Sequence, residues 1–149
     1  MGRRLQRRAL RWFVRWVDRS SDERLERLMG GRIGRRIIRT VKRAMKQRFN
    51  ADRAGDLDVV VEFWITGRRN GRSENWQVVI AEARCEVTED LQRDPDLIVE
   101  IDDVPFLKLV TGNANGPKLF LKGDLKLDGD LLLAQKLPRL FRPPRAKGS

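Results

Sequence analysis

The sequence predicts an α+β domain: a five-stranded, mostly antiparallel, twisted sheet with helices over one face, preceded by a basic helical arm. Three observations carry this. Apolar residues recur with a helical period of about 3.6 as far as residue 49, and with a strand period of about 2 from Leu57. Turn residues then divide the chain into four strand-length runs. After them come a helix, a short helix, a strand and a last helix, an order that stacks helices on a sheet instead of alternating them with its strands.

Residues 3–17, RRLQRRALRWFVRWV, make the first helix. At about 100° per residue, Arg3, Arg4, Arg7, Arg8, Arg11 and Arg15 fall on one side, and Leu5, Ala9, Trp12, Phe13, Trp16 and Val17 on the other. Ser20-Ser21-Asp22-Glu23 has capping-box spacing and opens a second helix near residues 21–29, which Gly30-Gly31 ends. A third runs from near Arg32 to Phe49, with Ile33, Ile37, Val41, Ala44, Met45 and Phe49 as its apolar stripe. Asn50 to Asp56 reads as a linker. In the first strand Val59, Val61, Phe63 and Ile65 alternate with Val60, Glu62, Trp64 and Thr66. That phase puts Glu62 outward and in solvent, and Glu100 likewise in a later strand.

Asn70-Gly71, inside the polar loop Gly67–Asn75, signals a hairpin. Trp76, Val78 and Ile80 mark the second strand, Cys85 and Val87 the third, Leu97, Val99 and Ile101 the fourth. Asp102 or Asp103 caps a helix bearing Phe106, Leu107, Leu109 and Val110, stopped by Gly112. Pro117 opens a helical turn through Leu121. Leu125 and Leu127 form the fifth strand. Asp130 caps a final helix, Leu131–Leu137, closed by Pro138. The expected organisation is an arm over 1–50, a domain over 51–138 and a flexible basic, Pro-containing tail over 139–149.

The net charge of +11 is unevenly placed. Residues 1–53 hold 18 basic and 5 acidic side chains, whereas 54–149 hold 14 and 16. The basic character belongs to the arm, which suggests an anionic partner there. The single Cys85 has no internal disulfide partner, fits a reducing cytosol and reads as a small buried hydrophobe in a strand. No apolar run reaches the roughly 18 residues of a membrane span, and the arm has no h-region of a secretory signal. There is no His, which excludes Ser-His-Asp and Cys-His nucleophile pairs and His-based zinc sites. No nucleotide-binding glycine motif occurs. Neither a cofactor nor a metal nor catalysis is expected.

Residues 97–137 are dense in Leu, Val, Ile and Phe and lack His, Cys, Tyr and Ser. Within them Asp103-x-x-Phe106-Leu107-x-Leu109-Val110-Thr111-Gly112, then Lys118-Leu119-Phe120-x-x-Gly123-x-Leu125-Lys126-Leu127-x-Gly129, then Leu133-Ala134-Gln135-Lys136-Leu137 follow one another. In this order and spacing, with Phe63, Trp76 and Asp94-Pro95-Asp96 ahead of them, the chain resembles the sterol carrier protein type-two family, the sterol-binding or lipid-transfer domain. The resemblance covers about Phe49 to Leu137. It departs at Asn115-Gly116-Pro117, where the family often has Asn-Pro-Gln. The family's Ser-Lys-Leu-type peroxisomal address is not among the last residues, Ala146-Lys147-Gly148-Ser149.

The resemblance implies an apolar tunnel between sheet and helices, and noncatalytic binding of a sterol, fatty acyl, phospholipid or isoprenoid quinone lipid. The residues expected to line it are Phe63, Trp76, Phe106, Leu109, Val110, Leu119, Phe120, Leu132 and Leu133, each equally readable as core. Gln135 is a neutral hydrogen-bonding group in an apolar helix, suited to a lipid hydroxyl or carbonyl, or else to solvent. Lys118, Lys122 and Lys126 form a basic edge, either solvated or facing a headgroup. On the arm, Arg4, Arg7, Arg8, Arg11 and Arg15 opposite Trp12, Phe13 and Trp16 have the composition of an interfacial helix on an anionic membrane. The alternative is that this helix packs on the domain. Nucleic acid is disfavoured, because the aromatics are segregated from the arginines. An accessory factor presenting a quinone precursor to membrane enzymes shares the same cavity logic. The expected location is cytoplasmic, peripheral on the inner face of a membrane.

Overall fold

A computed structural model describes residues 2–91 and 93–141, with side chains from Arg7 onward. The expected tail lies outside the described residues from 142; Arg139 and Leu140 are still helical. Four helices come first: α1 (Gly2–Arg19), α2 (Asp22–Met29), α3 (Arg32–Arg48) and the short α4 (Ala51–Ala54). Then follow β1 (Val59–Thr66), β2 (Ser73–Ala81), β3 (Arg84–Thr88), β4 (Leu97–Asp102), α5 (Asp103–Val110), α6 (Gly116–Lys122), β5 (Leu125–Gly129) and α7 (Leu131–Leu140). The α+β plan with five strands holds.

The sheet order is β3-β2-β1-β4-β5. Three of the four junctions are antiparallel, and β1 pairs β4 in parallel, with Phe63 level with Val99. The parallel pair has a simple cause. β3 is an edge strand and β4 lies beyond β1, so residues 89–96 must cross the sheet to reach it. Their landing is fixed by Asp96, whose N–H donates to the Val60 carbonyl (2.8 Å) while its Oδ2 accepts from the Val60 N–H (2.8 Å). Gly129 completes this corner: at φ +116° a Cβ there would stand 2.3 Å from the Asp96 carbonyl oxygen.

That crossing corrects the reading of Glu62. Alternation places it on the outward face correctly, but that face is roofed, and Glu62 is only 7% exposed. Gln77, fully buried beside it, donates from Nε2 to Glu62 Oε1 (2.8 Å) and to the Arg93 carbonyl of the crossing segment (2.7 Å). Trp64 Nε1 donates to Glu62 Oε2 (2.6 Å). Glu100, on the same face, is half-buried.

The opposite face carries Val61, Ile65, Trp76, Val78, Ile80, Leu97, Val99 and Ile101, all in the core beneath the helices. On the strand at its edge, the half-buried Cys85 thiol is pushed up to about 11 by desolvation.

Local boundaries shift for identifiable reasons. Ser21, not Ser20, caps α2, accepting from the Arg24 N–H (3.3 Å); Ser20 Oγ instead donates to the Trp16 carbonyl (2.6 Å), closing α1. The predicted linker contains α4, capped by Asn50 through the Arg53 N–H (3.2 Å). The α3 stripe is rotated: Ile38 is buried and Ile33 is 54% exposed. Gly34 lets α3 press against α2, since a Cβ there would meet the Met29 carbonyl oxygen at 2.1 Å. β2 begins at Ser73, three residues before Trp76, because its ladder with β1 runs to Thr66. Pro138 lies inside α7 and does not end it.

Candidate functional site

The helix-covered face of the sheet is an aromatic and aliphatic floor. Phe63 stacks on Trp76 (centroids 5.4 Å, 18°), and Phe106 of α5 meets Trp76 edge-on (6.2 Å, 74°). From α3, the Lys42 ammonium stands 4.8 Å from the centre of the Trp76 ring and 3.0 Å from Glu89. Lys42 was invisible as an anchor in the sequence, where it is one of several basic residues off the apolar stripe. Trp76 is fully buried, and its Nε1 meets no acceptor among the described residues.

The ten residues expected around a lipid divide. Trp76, Phe106, Leu119 and Leu133 are buried, and Phe63 and Leu109 pack partly buried against the same core. Val110 (42% exposed), Phe120 (45%) and Leu132 (70%) face water, joined there by Leu121 (84%) and Leu131 (52%). Gln135 is exposed. So α6 buries Leu119 and α7 buries Leu133 and Leu140, while both also show apolar side chains to water. The basic-edge lysines Lys118, Lys122 and Lys126 are exposed beside them.

α1 is tied to this region. Asn113 Nδ2, in the α5–α6 loop, donates to the Val14 carbonyl (3.0 Å). Val17 is fully buried, while Phe13 and Trp16 stack (6.1 Å, 21°) half-buried against the core. Further out, Trp12 is 66% and Leu10 53% exposed, and Arg7, Arg8, Arg11 and Arg15 lie in solvent. The Arg4 side chain lies outside the described residues. α2 is fastened by Asp22 to Lys108 of α5 (2.8 Å), and that contact holds the Asp22 carboxyl below its ordinary range. Arg68, from the β1–β2 loop, reaches Glu26 (3.6 Å) and Asp102 (3.1 Å).

Two features go beyond what the sequence signalled, which for Asp103 was a place at the head of a motif and a candidate helix cap, a position that Asp102 takes. Asp103, in the first turn of α5, is 2% exposed, and neither carboxylate oxygen meets a donor at bonding geometry. Burial pushes its carboxyl up, and outweighs the opposing pull of the nearby Val104 and Arg68 backbone N–H groups. Second, a cleft of about 1030 Å³ opens where α4 and the start of β1 face the end of α7. It is lined by Arg53, Lys136 and Arg139, by Asp56 and Asp58, and by Ala54, Leu57 and Leu140. None of the ten expected lipid-lining residues borders it.

Among the described residues no helix is long and apolar enough to cross a membrane, and no His/Cys/Asp/Glu cluster has metal-site geometry.

Comparison with known proteins places this architecture. Rat (Rattus norvegicus) sterol carrier protein 2 is 29% identical over 89 residues, 59% of this chain and 16% of its own length. The chain thus spans about one sixth of that relative. The solution structure of sterol carrier protein domain 2 from Helicoverpa armigera superposes with a TM-score of 0.58 at 25% identity, covering 72% of this chain and 84% of that one. The apo sterol carrier protein 2 of Yarrowia lipolytica gives 0.57 at 20% identity, over 68% and 90%. The family profile described as the SCP-2 sterol transfer family matches residues 39–142, from inside α3 to just past α7. With more than half of its length matched in this way, the chain belongs to the SCP-2 sterol transfer family.

Proposed function

We propose that this domain is a noncatalytic carrier of one apolar lipid, of the sterol, fatty acyl, phospholipid or isoprenoid quinone type. The observation that carries the reading is that α6 and the first turn of α7 show apolar side chains to water as well as to the core. A helix lying on a sheet needs one apolar stripe; its other side ordinarily meets water and is polar. Here Phe120, Leu121, Leu131 and Leu132 stay exposed while Leu119 and Leu133 are spent on the core. Exposed apolar groups on two short helices that both pack on β5 are the kind of surface that binds an apolar partner. Burial of lipid there supplies roughly 25 cal/mol per Å² of apolar surface removed from water.

The arm brings the carrier to its source. Leu10 and Trp12 project with Arg7, Arg8 and Arg11 from the half of α1 that the domain does not bury. Each basic side chain near an anionic bilayer contributes up to about 1 kcal/mol. This fits a protein peripheral on the cytoplasmic face of a membrane. Co-sedimentation with liposomes tests the docking: binding requires anionic lipid, weakens with salt and is lost on removal of residues 1–19. Binding that ignores salt, or that survives the deletion, refutes it.

A further inference from the structure

Helix α3 carries eight cations and no acidic residue in its 17 positions. Six of them, Arg32, Arg35, Arg36, Arg39, Arg43 and Lys46, fall within an arc of about 100° at 3.6 residues per turn, and the row they make is about 21 Å long at a rise of 1.5 Å per residue. All six are exposed. The other side of the helix is taken up by folding: Gly34 and Ile38 are buried, and Ile37, Val41 and Met45 pack partly buried against the core. Among the described residues no ion pair within 4.0 Å reaches any of the six, and the pair that α3 makes with Glu89 uses Lys42, beside the stripe.

Folding does not account for this stripe. Arg32 and Arg36, Arg35 and Arg39, and Arg39 and Arg43 are like charges four residues apart, a spacing that works against a helix. Arg32 and Arg35 also stand in the first turn, where the helix dipole disfavours cations and no acidic residue compensates. We infer that this face of α3 docks the phosphate backbone of a nucleic-acid duplex, without regard to base sequence. Five of the six cations are arginines, whose planar forks match phosphate oxygens two at a time. A protein partner draws affinity from an apolar interface core, and a helix lying on a bilayer from an apolar face. The stripe offers neither: the apolar side of α3 is in the core, and the exposed Ile33 lies outside the arc. Phosphate binding draws its affinity from counterion release and needs no apolar contact. On α1, by contrast, the arginines share their exposed surface with Leu10 and Trp12, as a membrane contact requires. The aromatics whose segregation disfavours nucleic acid on α1 serve to stack unpaired bases; contacts to a duplex backbone do without them.

The test is fluorescence anisotropy of a labelled DNA duplex of about 20 base pairs titrated with the full chain over a series of salt concentrations. Binding at low salt is expected, with log Kd linear in log salt and equal affinity for a second duplex of permuted sequence. The stripe variant Arg35→Gln, Arg39→Gln, Arg43→Gln binds at least about tenfold more weakly and loses about three from the salt slope. It melts no lower than wild type, since two of the like-charge pairs are gone. The control Arg72→Gln, Lys136→Gln, Arg139→Gln removes the same charge from exposed positions off α3 and stays within about threefold of wild type. Equal losses in the two variants, or no duplex binding at low salt, overturn the proposal. A stripe variant that loses binding to phosphatidylglycerol vesicles but keeps its affinity for the duplex assigns the stripe to a membrane and overturns it equally. If the stripe variant does not fold, Arg39→Glu alone, at the centre of the row, reads the same surface: weaker duplex binding supports the proposal, and undiminished binding overturns it.

Discussion

The two ends of the sheet are built to different standards. At the β3–β2–β1 end, α3 and α5 close over Phe63, Trp76 and Phe106, the Lys42 ammonium caps the Trp76 ring, and the crossing segment roofs the other face through Gln77 and Glu62. At the β4–β5 end, Leu125 of β5, Leu119 of α6 and Leu133 of α7 reach the core, but the two helices leave Phe120, Leu121, Leu131 and Leu132 in water. The closed end is consolidated as a protein interior. The open end retains apolar surface that folding alone does not use. That difference separates the part that holds the domain together from the part available to a ligand.

Substitutions break the comparison in a graded way. Trp76→Ala removes the ring shared by Phe63, Phe106 and Lys42 and costs about 3–5 kcal/mol in chemical denaturation, as large core truncations do; a loss below 1 kcal/mol would mean that the closed end is not close-packed. Asp103→Asn acts at the head of α5. Because burial raises the folded-state pKa above its unfolded value near 3.8, the ionised carboxylate opposes folding at neutral pH; the penalty shrinks as pH falls through the raised folded-state pKa and is gone below about 3.8. The variant is therefore more stable than wild type at pH 7 and matches it at pH 3; thermal melts at both values check the sign. In the β2–β3 turn, Glu82 and Ala83 both have positive φ, 52° and 56°. Ala83→Gly relieves the second and stabilises by roughly 1 kcal/mol, readable as a higher denaturation midpoint. Leu121→Ser with Leu132→Ser changes stability least, within about 0.5 kcal/mol, yet lowers uptake of a fluorescent fatty acid. Uptake equal to wild type would remove the functional meaning of the open end.

Most of the element order was legible, because strand alternation, cap residues and turn glycines are local signals. Asp130 caps α7 through the Leu133 N–H (3.1 Å), and Asn115 caps α6 through the Lys118 N–H (2.9 Å), as chain-local chemistry would have it. What was not legible depends on contacts distant in sequence. The parallel β1–β4 pairing and the use of Lys42 as a cap on Trp76 each join segments more than 25 residues apart, and the roof over Glu62 is held through Gln77 to Arg93, 16 residues on. Pro138 looked like a stop because proline lacks an N–H, but only two residues of α7 follow it. The expected lipid-lining set could not be divided from sequence into buried and exposed members, since Leu132 and Leu133 are the same residue type one position apart on a helix. The cleft lined by Arg53 and Arg139 brings together residues 86 positions apart and carried no motif.

The central claim is that the domain carries an apolar lipid. It is tested most directly by native mass spectrometry of the purified full chain after incubation with a mixed panel of sterol, fatty acid, phospholipid and isoprenoid quinone, with the bound species extracted and identified. The account predicts a one-to-one complex with one class of these lipids, diminished in the Leu121→Ser, Leu132→Ser variant. A chain that retains its unliganded mass against the whole panel while remaining folded contradicts it.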